Sequence, residues 1–127
     1  MQVSHEIDHD KQLVITIVSG RFDFGELGIQ LRLLRENAEI SGFSRLLDFR
    51  QAEVDHFSSD DAEAYGAILV LPAPPNIAIL VSNDVQRRLA TAFHSGRYLN
   101  GTYSPFRVFE QLDEALDWLK EQPAPLL

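Results

Sequence analysis

A run of five consecutive apolar residues, Ile77 to Val81 (I-A-I-L-V), constrains the fold of this chain more than any other feature. A strand with apolar side chains on both faces is typical of the centre of a parallel sheet, where both faces are covered. Parallel strands need crossover connections, which are usually helices. The run therefore predicts an α/β domain with helices packed around a central sheet.

The segments on either side of this run alternate between strand and helix patterns. The first two strands flank the polar turn His9-Asp10-Lys11, which predicts an antiparallel hairpin. The predicted order β-β-α-β-α-β-α-β-α implies a mixed, mostly parallel sheet of about five strands with about four helices. The predicted strands run from Val3 to Asp8, Gln12 to Ser19, Ser44 to Phe49, Ile77 to Val81 and Phe106 to Phe109; the helices run from Gly25 to Ile40, from Ser58 or Ser59 onward, from Val85 to about His94 and from Asp113 onward.

The length of 127 residues predicts one domain, over residues 1–122, followed by a Pro-rich tail over residues 123–127. The chain has no cysteine, which excludes disulfides and thiolate metal sites and fits a reducing compartment. Its first residues lack the basic and apolar pattern of a signal peptide, so a cytoplasmic protein is expected. The longest apolar stretch, Ala67 to Ala73, is far shorter than the ~20 residues that span a bilayer.

The charge of the chain argues against a nucleic-acid partner. Nineteen acidic and eleven basic residues give a net charge of −8, whereas nucleic-acid binding depends on cationic contacts to phosphate. The acids concentrate between residues 48 and 63 and the arginines between 84 and 108. Two hypotheses stay open: independent solvated surfaces, or complementary surfaces that set how two copies associate.

Three segments of the sequence resemble those of a known family. They are R-L-L-D-F-R at 45–50, I-A-I-L-V-S-N-D at 77–84 and P-F-R-V-F-E-Q-L-D-E-A-L-D-W-L at 105–119. With the element order, they resemble the SpoIIAA-like proteins, also described as STAS/SEC14-like. The resemblance covers nearly the whole chain and implies a small α/β domain used for regulation, for protein contacts or for binding small or lipid-like ligands.

The resemblance also directs attention to Ser58 and Ser59. In antagonists of anti-sigma factors, a phosphorylatable serine directly follows the third strand at the start of a helix. Here Ser58 and Ser59 follow an eight-residue acidic insertion, Arg50 to Phe57, which departs from that pattern. The two serines are therefore a candidate phosphosite or a plain helix cap.

Polar residues near the carboxyl ends of two neighbouring predicted strands form a second candidate site. Ligands of open α/β sheets usually bind at this edge. The residues form a rim of mixed charge that could hold a small anion or a polar head group, or that could simply cap a helix and pair on the surface. They are Asp48, Arg50, Asn83, Asp84, Arg87 and Arg88.

An apolar helix end that runs into a Pro-rich loop is the third candidate. An exposed apolar patch of this kind indicates a partner or ligand surface, and the alternative is that it covers the sheet. Its residues are Tyr65, Ile68, Leu69 and Leu71.

No pattern for catalysis, a cofactor or a metal is found in the sequence. Gly-rich phosphate loops and G-x-S-x-G are absent. His5 and His9 lie about 13 Å apart along a strand, too far for one ion. Gly96 is predicted to cap the C-terminus of a helix. The leading hypothesis is therefore a non-enzymatic regulatory or interaction module that forms a homodimer or binds another protein. The alternative is a small carrier of an apolar or lipid-like ligand, and a third hypothesis is an antagonist regulated at Ser58 or Ser59.

Overall fold

The computed structural model describes residues 1–68, 76–99 and 105–122. The strands are β1 (Gln2–Asp8), β2 (Leu13–Arg21), β3 (Ser44–Glu53), β4 (Ile77–Leu80) and β5 (Phe106–Phe109), and the helices are α1 (Phe24–Glu36), α2 (Ser59–Ile68), α3 (Asp84–Leu99) and α4 (Leu112–Glu121). Within these ranges, the strands form one sheet in the order β1-β2-β3-β4-β5. β1 is antiparallel to β2 and every other neighbouring pair is parallel. The predicted α/β fold, with its N-terminal hairpin, is confirmed.

Side chains that alternate along β3 and β4 divide the core between the two faces of the sheet. On one face, Leu46 and Leu80 pack against α4. On the other face, Leu47, Ile79 and their neighbours pack under α1, α2 and α3. β4 is buried at every position, as the apolar run predicts for a central strand. No helix in the described ranges is long and apolar enough to cross a bilayer.

The predicted end of α3 was wrong. The helix continues to Leu99, so Gly96 lies inside it and does not cap its C-terminus. An added Cβ at Gly96 would overlap the backbone of α2 at the Glu63 carbonyl, and one at Gly66 would overlap the Phe93 carbonyl of α3. These two glycines therefore allow the backbones of α2 and α3 to approach closely, which is a tertiary role that helix-end rules do not consider.

The boundaries of α1 and β3 also differ from those predicted. α1 ends at Glu36 because Asn37 leaves the helical conformation and its side chain accepts a hydrogen bond from the Glu39 N–H. β3 continues to Glu53 because it pairs with the end of β2 beyond an irregularity between Ile17 and Ser19. Half of the predicted acidic insertion is thus part of a strand.

Candidate functional site

The predicted polar rim contains one close ion pair, between Asp48 and Arg50. The two side chains point to the same face of β3, two residues apart. The Asp48 carboxylate accepts hydrogen bonds from the Arg50 backbone N–H (3.0 Å), Nε (3.1 Å) and Nη2 (2.9 Å). Its hydrogen bond raises the pKa of Arg50. The two side chains therefore satisfy each other's hydrogen-bonding groups in a bidentate geometry.

Asn83 and Gln86 build the start of α3 and attach it to β3. The Asn83 Oδ1 accepts from the Gln86 N–H at 2.9 Å, which is an N-cap. The buried Gln86 amide donates to the Ala52 carbonyl at 3.1 Å and accepts from the Ser82 N–H at 2.7 Å. Asp84 lies in the first turn, where negative charge is favourable. These contacts give both amides a structural role.

The two arginines of the rim lie further along α3. Arg87 pairs with Glu110 at 3.1 Å, and both side chains are exposed. Arg88 is exposed and, with Asp84 and Arg87, borders a shallow depression along the helix. The structure thus joins Asp48 to Arg50 and Arg87 to Glu110 in separate ion pairs. Binding of an anion by the whole rim stays a prediction.

Ser58 forms a capping box with Asp61. The Ser58 Oγ accepts from the Asp61 N–H at 3.1 Å, and the Asp61 carboxylate accepts from the Ser58 N–H at 3.1 Å. Ser58 and Ser59 are exposed at the start of α2, and four residues separate Ser58 from the end of β3 at Glu53. Phosphorylation at either serine stays a prediction, and the geometry shows what Ser58 does without it.

The predicted apolar contact surface is described only in part. Tyr65 is half-buried and stacks on Phe24 with ring centroids 4.9 Å apart, so its ring covers the core. Ile68 ends α2. Leu69 and Leu71 lie outside the described residues. The exposed large apolar side chains of the described ranges lie elsewhere: Ile7, Ile29, Leu33, Tyr98 and Leu112.

A small apolar cavity lies between α1, α3 and the sheet. It measures about 50 Å³, room for only a few water-sized groups at ~10–15 Å³ each. Leu31 of α1, Leu47 of β3 and Phe93 of α3 are among the side chains that line it. Pockets for drug-sized ligands are several times larger, ~300–1,000 Å³.

One hydroxyl–imidazole pair has the geometry of a nucleophile and its base. The His5 Nδ1 lies 2.9 Å from the Thr16 Oγ1, and its Nε2 lies 3.3 Å from the Gln30 Oε1. Thr16 is fully buried, so a substrate has no access to its hydroxyl. The three side chains tie β1 and β2 to α1. No group of three metal-ligating side chains occurs among the residues that the structure describes.

A cluster of three arginines is the feature that the sequence analysis missed. Arg35 lies in the last turn of α1, Arg45 is the second residue of β3 and Arg97 lies in the last turn of α3. We call these three residues the arginine cluster. Arg45 is 4% exposed and Arg97 8% exposed, and the Arg35 guanidinium is close enough to lower the pKa of both, with burial as the larger cause. The pKa of Arg45 falls to about 10.

A signal for this cluster exists in the sequence. Arg35 follows Leu31 by four residues and Arg97 follows Phe93 by four, so each arginine continues an apolar helix stripe. Arg45 lies two residues before Leu47, on the same strand face. Cations at core-facing positions of three separate elements are uncommon, because an unpaired buried charge is costly.

Taken together, the strand order, the antiparallel first strand and the four helices define a SpoIIAA-like α/β fold. A solved structure with this fold is similar over nearly the whole chain. It is an uncharacterised protein of the DUF3478 family from Shewanella loihica, 18% identical, with a TM-score of 0.53 over 93% of this chain and 92% of that chain. No protein-family model and no curated protein match the sequence. The likeness establishes the fold.

Proposed function

We propose that this protein is a non-enzymatic, cytoplasmic interaction module that works as a homodimer through the outer face of α1. The observation that carries the proposal is the exposure of two large apolar side chains one turn apart, Ile29 at 62% and Leu33 at 58%. Positions i and i+4 lie on one face of a helix, so the two side chains form a continuous apolar strip. Such strips mark contact surfaces on soluble proteins.

The charges beside this strip favour a second copy of the same chain as the occupant. Arg32 and Glu36 are exposed one helical turn apart on α1. When two copies of α1 pack antiparallel about a two-fold axis near residue 34, Arg32 of each copy lies opposite Glu36 of the other. Leu33 then lies beside the axis, and Ile29 lies against the end of the partner's helix. An isologous contact of this kind satisfies both copies at once.

The non-enzymatic part of the proposal is supported by the state of the candidate groups. The Thr16 hydroxyl beside His5 is fully buried. The Asp48 carboxylate is occupied by Arg50. The Ser58 hydroxyl is used as a helix cap. Each of these groups has a structural task that explains its position.

A charge-swap series tests the homodimer. Native mass spectrometry and analytical ultracentrifugation of the wild type at tens of micromolar are expected to show a dimer. Arg32→Glu or Glu36→Arg alone should favour the monomer, because each places like charges opposite each other twice. The double variant Arg32→Glu/Glu36→Arg should restore the dimer. Arg88→Glu, on the exposed side of α3, is the control and should remain dimeric.

A strictly monomeric wild type at these concentrations contradicts the proposal. So does a double variant that is no more dimeric than the single ones, because reciprocal pairing across a two-fold axis requires the rescue. If all three α1 variants remain dimeric, the contact lies elsewhere, and the proposal that α1 forms the dimer interface is wrong.

The carrier of an apolar ligand is the second candidate, and the cavity under α1 is the observation that favours it. The cavity is lined almost wholly by apolar side chains, among them Phe22, Leu27 and Leu89. Its volume of about 50 Å³ requires α1 to move away from the sheet before a ligand of a few hundred daltons fits. A retained mass of that size on protein purified from its host would support this function, and its absence would favour the interaction module.

A further inference from the structure

Four polar atoms of the arginine cluster are buried and have no hydrogen-bond partner among the residues that the structure describes. They are Nε and Nη1 of Arg35, Nη1 of Arg45 and Nη2 of Arg97. Buried N–H groups are almost always paired in folded proteins, and an unpaired charged one costs more than a neutral one. The structure therefore contains four donor atoms, on three elements, that need an acceptor.

The surrounding groups satisfy only part of this demand. Arg45 donates one hydrogen bond, from Nη2 to the Ile40 carbonyl at 3.3 Å. Arg35 and Arg97 lie in the last turns of α1 and α3, where positive charge is favourable, but this explains where they are and not their unpaired N–H groups. Among the described residues, the ion pairs involve other arginines, Arg50 and Arg87.

The charge of the cluster cannot be removed by deprotonation. Burial and the neighbouring Arg35 lower the pKa of Arg45 to about 10, which still leaves this guanidinium protonated at neutral pH. Arginine keeps its proton under ordinary conditions. Arg45 and Arg97 are buried and Arg35 is half-buried. In a protein with a net charge of −8, these three positive charges are therefore balanced best by an anion that binds among them.

We propose that Arg35, Arg45 and Arg97 form a binding site for an oxyanion, a carboxylate or a phosphate group. The planar guanidinium group offers paired N–H donors that match the oxygens of a carboxylate or a phosphate. Three guanidinium groups on separate elements can therefore surround one anion. This site goes beyond the proposed dimer contact and does not depend on it, because the arginine cluster lies under α1 and the apolar strip lies on its outer face.

The position of the cluster indicates which molecules can carry the anion. Leu31, Leu47 and Phe93 line the apolar cavity. Leu31 and Phe93 lie one helical turn before Arg35 and Arg97, respectively. Leu47 lies two residues after Arg45, on the same face of β3. An oxyanion among the arginines would therefore lie at one end of an apolar space. The shared chemistry is the oxyanion, which arrives either as a free ion or as the head group of a molecule with an apolar tail.

Isothermal titration calorimetry with three probes tests the site and separates these sources. Inorganic phosphate, octanoate and octanol are titrated into the full chain at constant ionic strength set with NaCl. Saturable binding of phosphate supports a site for a free oxyanion. Saturable binding of octanoate without binding of octanol or phosphate supports a head group with an apolar tail. Octanol binding as tightly as octanoate, or no saturable binding of either anion, overturns the proposal.

Variants assign the binding to the cluster. Arg45→Met and Arg97→Met should each weaken binding of the anion by roughly ten- to a hundredfold, the effect of losing a charge-assisted hydrogen-bonded pair. Without added phosphate or octanoate, neither variant should melt lower than the wild type, because an unpaired buried charge is removed. Arg88→Met, an exposed arginine of α3, is the control and should bind as the wild type does.

Conservative replacement keeps the test decisive if a methionine variant does not fold. Arg97→Lys retains the charge but not the planar fork, and should weaken binding at least tenfold while the protein remains folded. Binding of the anion that is unchanged in Arg97→Lys and in whichever methionine variant folds would overturn the proposal.

Discussion

Gln86 and Arg45 show what burial of a polar residue means in this protein. Each is 4% exposed. The Gln86 amide is used fully, since it joins the Ser82 N–H to the Ala52 carbonyl and so attaches α3 to β3. Arg45 has one hydrogen bond and an unpaired Nη1. A satisfied buried group stabilises the fold, whereas an unsatisfied one requires an explanation, for which we propose the bound oxyanion.

Loss of the Ser58 hydroxyl should weaken the start of α2. Ser58→Ala removes the acceptor of the Asp61 N–H and breaks the capping box. The expected loss in the free energy of unfolding is about 1 kcal/mol. Urea denaturation followed by circular dichroism measures it. Ser59→Ala, one position into the helix, is the control and should cost less; equal losses would show that the cap is not the cause.

His94 should make stability depend on pH below neutrality. Burial, and next the neighbouring Arg97, lower the pKa of His94 below its ordinary value of 6.5. The unfolded chain then binds a proton at a higher pH than the folded one, so stability is complete above pH 6.5 and falls as the pH drops through the interval down to the folded pKa. Urea denaturation at pH 7.5 and pH 5 measures this.

The variant His94→Gln separates this contribution from that of the carboxylates. It should lose less stability than the wild type between pH 7.5 and pH 5. The His94 ring also stacks on the Phe106 ring, with the ring centroids 4.1 Å apart. The variant loses this contact at every pH, so its absolute stability is less informative than its pH dependence. An identical pH dependence in both proteins would show that His94 titrates alike in the folded and unfolded chain.

At the scale of elements, the crossing of α2 and α3 depends on glycine. In Gly96→Ala the new Cβ meets the Glu63 carbonyl and the Ala67 N, which are backbone atoms that cannot rotate away. Overpacking costs about 1–3 kcal/mol, against about 1 kcal/mol that alanine gains in a helix interior. Because backbone must move, we expect the upper end of this cost, and therefore a net loss of about 2 kcal/mol in the free energy of unfolding, measured by urea denaturation.

Gly42→Ala is the matched control for this prediction. An added Cβ at Gly42 meets no atom of the described residues within 4 Å, and the φ of Gly42 is not positive. The variant should therefore stay within about 0.5 kcal/mol of the wild type, as surface substitutions usually do. A Gly96→Ala protein as stable as Gly42→Ala would mean that the two helices separate at little cost.

At the scale of the whole molecule, two cores share the same strands. β3 and β4 send Leu46 and Leu80 to the α4 face, and Leu47 and Ile79 to the opposite face. Neither core can lose its strand residues without disturbing the other. A domain of this size with shared strands is expected to unfold in one cooperative step.

Truncations on opposite faces test this coupling. Leu119→Ala, on α4, and Leu89→Ala, on α3, remove buried side chains and should each cost about 2–5 kcal/mol. In both variants, fluorescence of Trp118 on α4 and circular dichroism of all the helices should report the same midpoint in urea. Midpoints that separate in Leu119→Ala would show that α4 unfolds by itself.

The sequence by itself determined the features that arise from neighbours along the chain. The apolar run from Ile77 identified the central strand, because burial on both faces leaves no polar position. A helix cap was one of the two predicted roles of Ser58, because the N–H group that it accepts from lies three residues away, at Asp61. The order of strands and helices followed from periodicity, and the resemblance supplied the fold that the structure confirms.

Tertiary structure decided everything that depends on which elements meet. Gly96 has the sequence signature of a helix cap, yet it lies at a crossing because α2 approaches there. The end of β3 extends to Glu53 because β2 offers backbone partners beyond its irregularity. Arg35, Arg45 and Arg97 are far apart in sequence, and their unpaired N–H groups become buried only once α1, β3 and α3 pack together. Hydrogen bonds to neighbours and side-chain periodicity act over a few residues, whereas close helix contacts and unpaired buried charges are properties of the assembled fold.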